Sequence, residues 1–185
     1  MLTTAITKPI HNTHSAFTTF DNLPSIEQEL LRKAAQARLN AQAPYSNFLV
    51  GCSLLSSSGA TFTGCNVERC SYTQTTHSEQ NTIDTMIAAQ GPSKIALIAI
   101  IGGVKGQSFH CGAPTSNALP NLNDVVTPCG HCRQIIWENC YNDSSVRIIS
   151  LLPDGNVFCA TIGDLLPMPF GPHNLGIDYA TYSNE

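Results

Sequence analysis

The most restrictive feature of this sequence is an unbroken apolar run of seven residues, Ile95–Ile101. A strand with one face in solvent alternates apolar and polar side chains, but this run has no polar face. It is also far shorter than the roughly 18 apolar residues that a membrane span requires. We therefore predict a strand over residues 94–101 that other elements cover on both faces.

Helical and strand patterns alternate on both sides of this predicted strand. Residues 25–28 match a capping box, and the apolar spacing that follows predicts a first helix to about residue 40. Thr127 is the predicted N-cap of a later helix, with Pro128 at its first position. The other predictions are a helix at 77–90 and strands at 48–55, 61–66, 146–152 and 157–161. This alternation is typical of a three-layer α/β or α+β domain.

The chain has 185 residues, which is close to the roughly 150 residues of one domain. We predict a single domain at 25–176, a polar and flexible N-terminal arm at 1–24, and a C-terminal tail at 177–185. Inside the domain, Gly102–Asp124 contains four Gly and two Pro and has no apolar period. Loops of this length are usually functional, so we expect this one to border a ligand pocket.

The composition excludes several classes of partner. Nine Lys and Arg against thirteen Asp and Glu give a net charge of -4, too few cations for a nucleic-acid surface. We find no membrane span, and residues 1–14 lack the features of a signal peptide, so we expect a cytoplasmic protein. Eight cysteines in a reducing compartment favour buried thiols, a redox pair or metal ligands over disulfides.

Two short segments contain the residues best suited to chemistry. Residues 77–80 are His-Ser-Glu-Gln, and residues 128–132 are Pro-Cys-Gly-His-Cys. Cys129 and Cys132 share one face at a predicted helix start, where unpaired N–H groups favour thiolates. With His77 they provide three ligands for Zn²⁺ and leave a fourth position open for water. Glu79 lies two residues from His77, where a carboxylate can move protons to and from that water.

Other interpretations of these segments remain open. A structural zinc site would need a fourth protein ligand, for which Cys65, Cys70 and Cys111 are candidates, and it would have no use for Glu79. A redox pair also fits an isolated C-x-x-C motif. We expect His131, inside that motif, to face solvent or to lie behind the ligands. The combination of H-x-E with P-C-x-x-C matches the signature of zinc-dependent deaminases of nucleosides and nucleobases, which favours that interpretation over the other two.

At these residues the chain resembles the cytidine deaminase family, over about residues 30–176. The resemblance implies an α/β fold of three layers, α/β/α, around a mixed sheet of about five strands. It also implies Zn²⁺ as cofactor, a small nucleoside as substrate and a homo-oligomer, with a tetramer favoured and a dimer possible. Further segments similar to family motifs are Tyr45–Gly51, Gly64–Glu68, Leu151–Pro153 and Phe170–Gly176.

The resemblance implies a role for each matching residue. His77, Cys129 and Cys132 would bind zinc, and Glu79 would be the catalytic proton shuttle. Ser78 stands where the family usually has Ala, and so adds a hydroxyl group beside the catalytic pair. The implied substrate contacts are Phe48 with the pyrimidine, Asn66 and Glu68 with the ribose hydroxyls, the backbone around Ser78 and Thr127 with the base edge, and Tyr72 and Phe170 near a neighbouring subunit's site.

The implied function is hydrolytic deamination of cytidine or deoxycytidine to uridine or deoxyuridine, with release of ammonia, as in pyrimidine salvage. Zinc-activated water would attack C4 of the base while Glu79 transfers protons. One alternative is another aminopyrimidine nucleoside, such as a nucleoside antibiotic. The alternative of a different class is a noncatalytic zinc-binding module on the same fold.

Overall fold

A computed structural model describes residues 16–115 and 119–181. Within these residues, six strands form one mixed sheet in the order β1-β6-β5-β4-β2-β3, in which β4 and β5 are the parallel pair. The sheet has one strand more than the five recognised in the sequence, because part of the N-terminal arm joins it. The strands are β1 (Ala16–Thr19), β2 (Phe48–Ser56), β3 (Thr61–Cys65), β4 (Ile95–Val104), β5 (Arg147–Leu151) and β6 (Asn156–Thr161).

Helices cover both faces of this sheet. The described helices are α1 (Ser25–Arg38), α2 (Ser78–Gln90), α3 (Gly130–Asn139) and the single turn α4 (Ile162–Leu165). α1 packs on one face, whereas α2 and α3 pack on the other and touch each other. The expected three-layer α/β/α architecture is therefore confirmed. Short 3₁₀ turns occur at Phe20–Asn22, Leu122–Asp124, Pro172–Leu175 and Tyr179–Thr181.

The central strand β4 is buried on both faces, as its unbroken apolar run predicts. Ile98 and Ile100 belong to the core beneath α2 and α3. Leu97, Ala99 and Ile101 belong to a second core beneath α1. Because successive side chains of a strand point to opposite faces, one apolar run supplies both cores.

The end of α1 is fixed closely against β2 and β4. A Cβ atom on Gly51 of β2 would lie 2.1 Å from the backbone oxygen of Ala34, so this approach requires glycine. The buried Arg38 donates hydrogen bonds to the carbonyls of Leu49, Gly103, Val104 and Gln107. Burial lowers the pKa of its guanidinium group. These contacts hold the N-terminal end of β2 and the C-terminal end of β4 in place.

Two predicted helix starts differ from the observed ones. The N-cap of α1 is Pro24, with no side-chain cap, so Ser25 does not close the predicted capping box. The N-cap of α3 is Cys129, whose carbonyl accepts the first helical hydrogen bond from the Arg133 amide at 2.9 Å. The helix therefore begins two residues later than predicted from Thr127. The Arg133 side chain explains this, since it binds Pro128 O at 2.7 Å and holds that residue outside the helix.

The predicted arm at 1–24 is only partly described. Ala16–Thr19 pairs with β6 in antiparallel register, and Phe20 is fully buried in the core beneath α1. Residues 1–15, 116–118 and 182–185 lie outside the described residues, and the domain boundaries themselves stay a prediction. None of the helices in the described ranges has both the length and the apolarity needed to cross a membrane.

Candidate active site

The two chemistry-bearing segments lie at neighbouring helix N-termini. His77 is the N-cap residue of α2, and Cys129 is the N-cap residue of α3. Both residues have extended backbone, so the chain turns into each helix directly after the ligand. Because α2 and α3 pack side by side, residues 52 positions apart in the sequence meet in space.

The three sequence-predicted metal ligands form one cluster. The Sγ atoms of Cys129 and Cys132 each lie 3.3 Å from Nδ1 of His77, and all three ligand atoms lie within 4.8 Å of one another. Zn–S bonds of about 2.3 Å and Zn–N bonds of about 2.1 Å in a tetrahedral site put such atoms roughly 3.6 Å apart. The donor set and its spacing therefore fit Zn²⁺. Among the described residues, this cluster gains no fourth His, Cys, Asp or Glu ligand.

His131 behaves as expected of a residue outside the ligand set. It is exposed, and its Nε2 lies 3.4 Å from Oε1 of Gln80. Its ring meets the ring of His77 edge-on, with 5.6 Å between the centroids. The contact supports the orientation of the imidazole that belongs to the metal cluster.

Glu79 is a buried carboxylate directly beside this cluster, with 6% of its surface exposed. Its Oε2 accepts a 2.9 Å hydrogen bond from the hydroxyl of Ser78. Burial is the main cause that raises the pKa of the Cys132 thiol, and the nearby charge of Glu79 is the second. A metal that binds Cys132 must therefore displace its proton. The site combines a ligand set that leaves room for water with a carboxylate that can move protons.

A cleft of about 320 Å³ opens onto the cluster. It brings together most of the residues that the sequence singled out, whereas Cys132 is fully buried next to it. The predicted residues that line the cleft are Phe48, Asn66, Glu68, His77, Ser78, Glu79, Thr127 and Cys129.

Glu68 is held in the cleft wall by three hydrogen bonds. Its Oε2 accepts from the amides of Tyr45 and Ser46 at 2.9 and 3.2 Å, and its Oε1 accepts from the Ser46 hydroxyl. Burial opposes the charge of Glu68, but the bonds from Ser46 and Tyr45 outweigh it and keep the pKa below its ordinary value. The carboxylate is therefore a fixed, charged hydrogen-bond acceptor.

Asn66 joins the cleft to the end of β2. Its Oδ1 accepts from the Val50 amide at 2.8 Å, and its Nδ2 donates to Phe48 O at 2.9 Å. An amide side chain has a second lone pair and a second N–H, which these two bonds leave available. Asn66 therefore positions the neighbouring Phe48 as well as facing the cleft.

Tyr72 and Phe170 do not line this cleft. Tyr72 is strongly exposed at the neighbouring rim, where its ring lies 5.8 Å from the ring of Tyr45. Its φ of 56° is in the left-handed region, which is unusual for a bulky residue. Phe170 is 62% exposed, and its carbonyl accepts a 2.7 Å hydrogen bond from Gln134 on α3. Within this single chain, neither ring reaches the cleft that contains His77, Glu79 and Cys129.

Sequence reasoning missed part of the cleft. The segment Gly102–Asp124 was expected to border it, but no described residue of that segment lines it. β4 continues to Val104, and His110 and Thr115 then bind the carbonyls of Pro153 and Asp154 at the β5–β6 turn, which draws the loop away. The lining residues not singled out from the sequence are Ser46, Val50, Thr75 and Val126. Of these four residues, Ser46 and Val50 had a local signal, because both lie in the Tyr45–Gly51 motif.

Three protein ligands leave one coordination position of a zinc ion open, and a buried carboxylate lies beside them. This combination is typical of hydrolytic zinc enzymes and not of structural zinc sites. The family model for the cytidine and deoxycytidylate deaminase zinc-binding region matches residues 24–146. That range contains all three clustered ligands and Glu79. The chain therefore belongs to this deaminase family and is an enzyme of that type.

Individual relatives agree with the family match. The cytidine deaminase of Mycobacterium tuberculosis is 32% identical over 83% of this chain and 96% of its own length. That of Halalkalibacterium halodurans is 32% identical over 77% of this chain and 92% of its own length. The crystal structure of cytidine deaminase from Burkholderia pseudomallei is similar, with a TM-score of 0.62 and 32% identity. The match covers 80% of this chain and 100% of the chain in that crystal structure.

Proposed function

We propose that this chain hydrolyses cytidine and deoxycytidine to uridine and deoxyuridine, with release of ammonia, using a Zn²⁺ ion. The observation that supports this most strongly is the position of Glu79, whose buried carboxylate adjoins both the cleft and the metal cluster. A structural zinc site has no use for such a group. The same observation disfavours a noncatalytic zinc-binding module.

His77, Cys129 and Cys132 would hold the ion. When bound, it supplies the lowered pKa that turns a water molecule into a nucleophile for C4 of the base. Glu79 would take one proton from that water and deliver it to the ring nitrogen. It would then take the second proton, from the hydroxyl group now bonded to C4, and deliver it to the departing amine as the C4 carbonyl forms. Its carboxylate ends the cycle in the state in which it began.

The cleft wall offers groups for each part of a nucleoside. Phe48 and Val126 present apolar surface to the pyrimidine ring, and the backbone around Ser78 and Thr127 is available to the polar edge of the base. Asn66 and the charged Glu68 can bind a ribose diol, since an amide donates and a carboxylate accepts. Because both residues line the same cleft as His77 and Cys129, this cleft suits a nucleoside better than a free base.

The charge of the cleft favours a nucleoside over a nucleotide. No Lys or Arg is among the described residues that line it, and Glu68 adds a negative charge. A 5′-phosphate would have no cation there to compensate for its lost water. We expect deoxycytidylate to be a poor substrate. A modified aminopyrimidine nucleoside, with its sugar intact, remains the alternative substrate.

Homo-oligomer formation in the cytoplasm completes the proposal, with a tetramer favoured over a dimer. Exposed apolar residues support it, because large exposed apolar patches mark interaction sites. Tyr72 and Phe170 are among them, and in an oligomer they would lie near a neighbouring subunit's cleft. The most exposed apolar side chains of the C-terminal segment are Met168, Phe170 and Leu175.

The test is ultraviolet absorbance during incubation with cytidine and with deoxycytidine, comparing the wild type with Glu79→Gln. This substitution keeps the side-chain shape but removes the proton shuttle. Zinc content is measured on both proteins. We expect turnover by the wild type and a loss of at least roughly 100-fold in the zinc-loaded variant. A zinc-loaded wild type without turnover on these and on modified nucleosides would favour a binding role instead.

A further inference from the structure

The hydroxyl group of Ser78 makes a contact that the proposed reaction does not otherwise use. Ser78 is the first residue of α2 and has 1% of its surface exposed. Its Oγ donates a 2.9 Å hydrogen bond to Oε2 of Glu79. Both residues line the cleft, so the bond acts on the carboxylate at the point where a substrate would meet it. Hydrogen bonds to a charged acceptor are stronger than those between neutral groups.

The backbone of Ser78 is fixed as well. Its carbonyl accepts a 2.7 Å hydrogen bond from the hydroxyl of Thr82, one turn further along α2. The Thr82 hydroxyl also lies 3.4 Å from the carbonyl of Cys52 on β2, which ties this turn of the helix to the sheet. A donor whose own backbone carbonyl is held in this way can keep a neighbouring carboxylate in one orientation.

The thiol of Cys132 lies near enough to Glu79 for the charge of that carboxylate to raise the pKa of the thiol. A cysteine that ligates a metal ion does so as a thiolate, which has no proton left to donate. The contact from Ser78 does not depend on the state of the cluster, because a hydroxyl keeps its proton. In the metal-loaded enzyme, the Ser78 hydroxyl therefore remains as a donor to this carboxylate.

We propose that Ser78 is a positioning residue whose hydroxyl holds Oε2 of Glu79 and leaves Oε1 as the oxygen that transfers protons in the cleft. Its catalytic consequence rests on the proposed deamination, whereas the hydrogen bond does not. In each cycle Oε1 would move two protons, the first from water to the ring nitrogen and the second from the new C4 hydroxyl group to the departing amine, while the bond from Ser78 to Oε2 stays intact.

The test compares Ser78→Ala with the wild type, both zinc-loaded. We expect kcat for cytidine to fall roughly tenfold, the effect of losing a hydrogen bond to a charged group, while KM stays within about twofold. The matched control is Ser53→Ala, which also removes a fully buried hydroxyl. Ser53 Oγ binds the carbonyl of Leu30 beneath α1, on the opposite face of the sheet from Glu79, and this control should keep the wild-type kcat.

A second measurement does not depend on turnover. Infrared difference spectra between wild type and Ser78→Ala should show a shifted carboxylate stretch, and the shift should vanish when both proteins also carry Glu79→Gln. An unchanged kcat, a loss shared with Ser53→Ala or an absent infrared shift would each overturn the positioning role. If the wild type deaminates no nucleoside, the proposed function fails, and the infrared shift alone then decides whether Ser78 holds Glu79.

Discussion

At the residue scale, chemically identical side chains on one short helix have different surroundings. Cys132 and Cys140 belong to α3 and its C-terminal cap, and both are fully buried. Cys132 lies 3.3 Å from the His77 imidazole, whereas Cys140 packs in the apolar core and its thiol lies 3.1 Å from the carbonyl of Trp137. Burial raises the pKa of the Cys140 thiol to about 11, which keeps it protonated and unreactive.

The pair gives a direct test of the metal site. We expect Cys132→Ala to lose bound zinc, with a larger fall in affinity than the roughly 10- to 100-fold that follows loss of a group that merely orients a ligand. Cys140→Ala should keep one zinc per chain. The measurement is zinc content after dialysis against a weak chelator. Equal zinc loss in both variants would mean that general destabilisation, and not ligation, is responsible.

Glu68 allows a second test at this scale, because its hydrogen bonds hold a charge at one end of the cleft. We expect Glu68→Gln to lower kcat/KM for cytidine roughly 10- to 100-fold through a raised KM, while any activity on cytosine stays unchanged. Glu29→Gln, which alters an exposed carboxylate on α1, should affect neither substrate. Equal losses for nucleoside and free base would contradict a ribose contact.

At the scale of elements, the position of α3 is fixed from both ends. Its start is held by Arg133, which binds Pro128 O, Leu165 O and the Thr127 hydroxyl. Beyond its end, Asp143 pairs with Lys94, which leads into β4, at 2.8 Å. The cluster therefore depends on contacts between elements that are distant in the sequence.

The Asp143 contact predicts a defined pH dependence of stability. Hydrogen bonds from Lys94, and to a smaller extent from Ser145, lower the pKa of this carboxyl group to about 2. The contribution of the charged carboxylate to the free energy of unfolding is therefore complete above its unfolded pKa of roughly 4. The contribution disappears as the pH falls towards 2. We expect Asp143→Asn to be less stable than the wild type between pH 7 and 5, with a difference that shrinks below about pH 4.

Urea unfolding at several pH values measures that difference. Asp84→Asn, which changes an exposed carboxylate on α2, is the control and should leave the profile close to that of the wild type. A stability difference for Asp143→Asn that stayed constant from pH 5 to pH 3 would show that the pair with Lys94 is not its source.

At the scale of the whole molecule, apolar side chains remain exposed on the C-terminal segment that follows α4. Met168 and Phe170 are 84% and 62% exposed. The backbone of this segment is nevertheless held, because Gln134 on α3 donates a hydrogen bond to the carbonyl of Phe170. An ordered segment with exposed apolar groups is suited to contact with a second copy of the chain.

We expect Phe170→Asp to shift the protein from the proposed tetramer to smaller species, because a charge buried in an interface carries a large desolvation cost. Native mass spectrometry measures the distribution. Lys105→Asp is the control, since Lys105 is an exposed polar residue and its replacement introduces a carboxylate without removing an apolar contact. A wild type that is monomeric at micromolar concentration would contradict the oligomer proposal.

Local sequence patterns were enough to predict the layered fold and a metal-binding site with a nearby base. The apolar run of β4 required cover on both faces, and the spacing of His77, Glu79, Cys129 and Cys132 indicated a metal cluster with a nearby base. Both are local signals, because periodicity and motif spacing are properties of neighbouring residues.

How these elements meet follows from contacts that no local pattern predicts. The sixth strand, the start of α3 at Gly130 and the path of the long loop depend on contacts with distant residues such as Arg133 and Pro153. The carboxylate of Glu68 acquires its partner Ser46 in the same way, from another segment of the chain. Hydrogen bonds between residues far apart in sequence leave no periodic pattern, and therefore the fold has to bring them together before they can be seen.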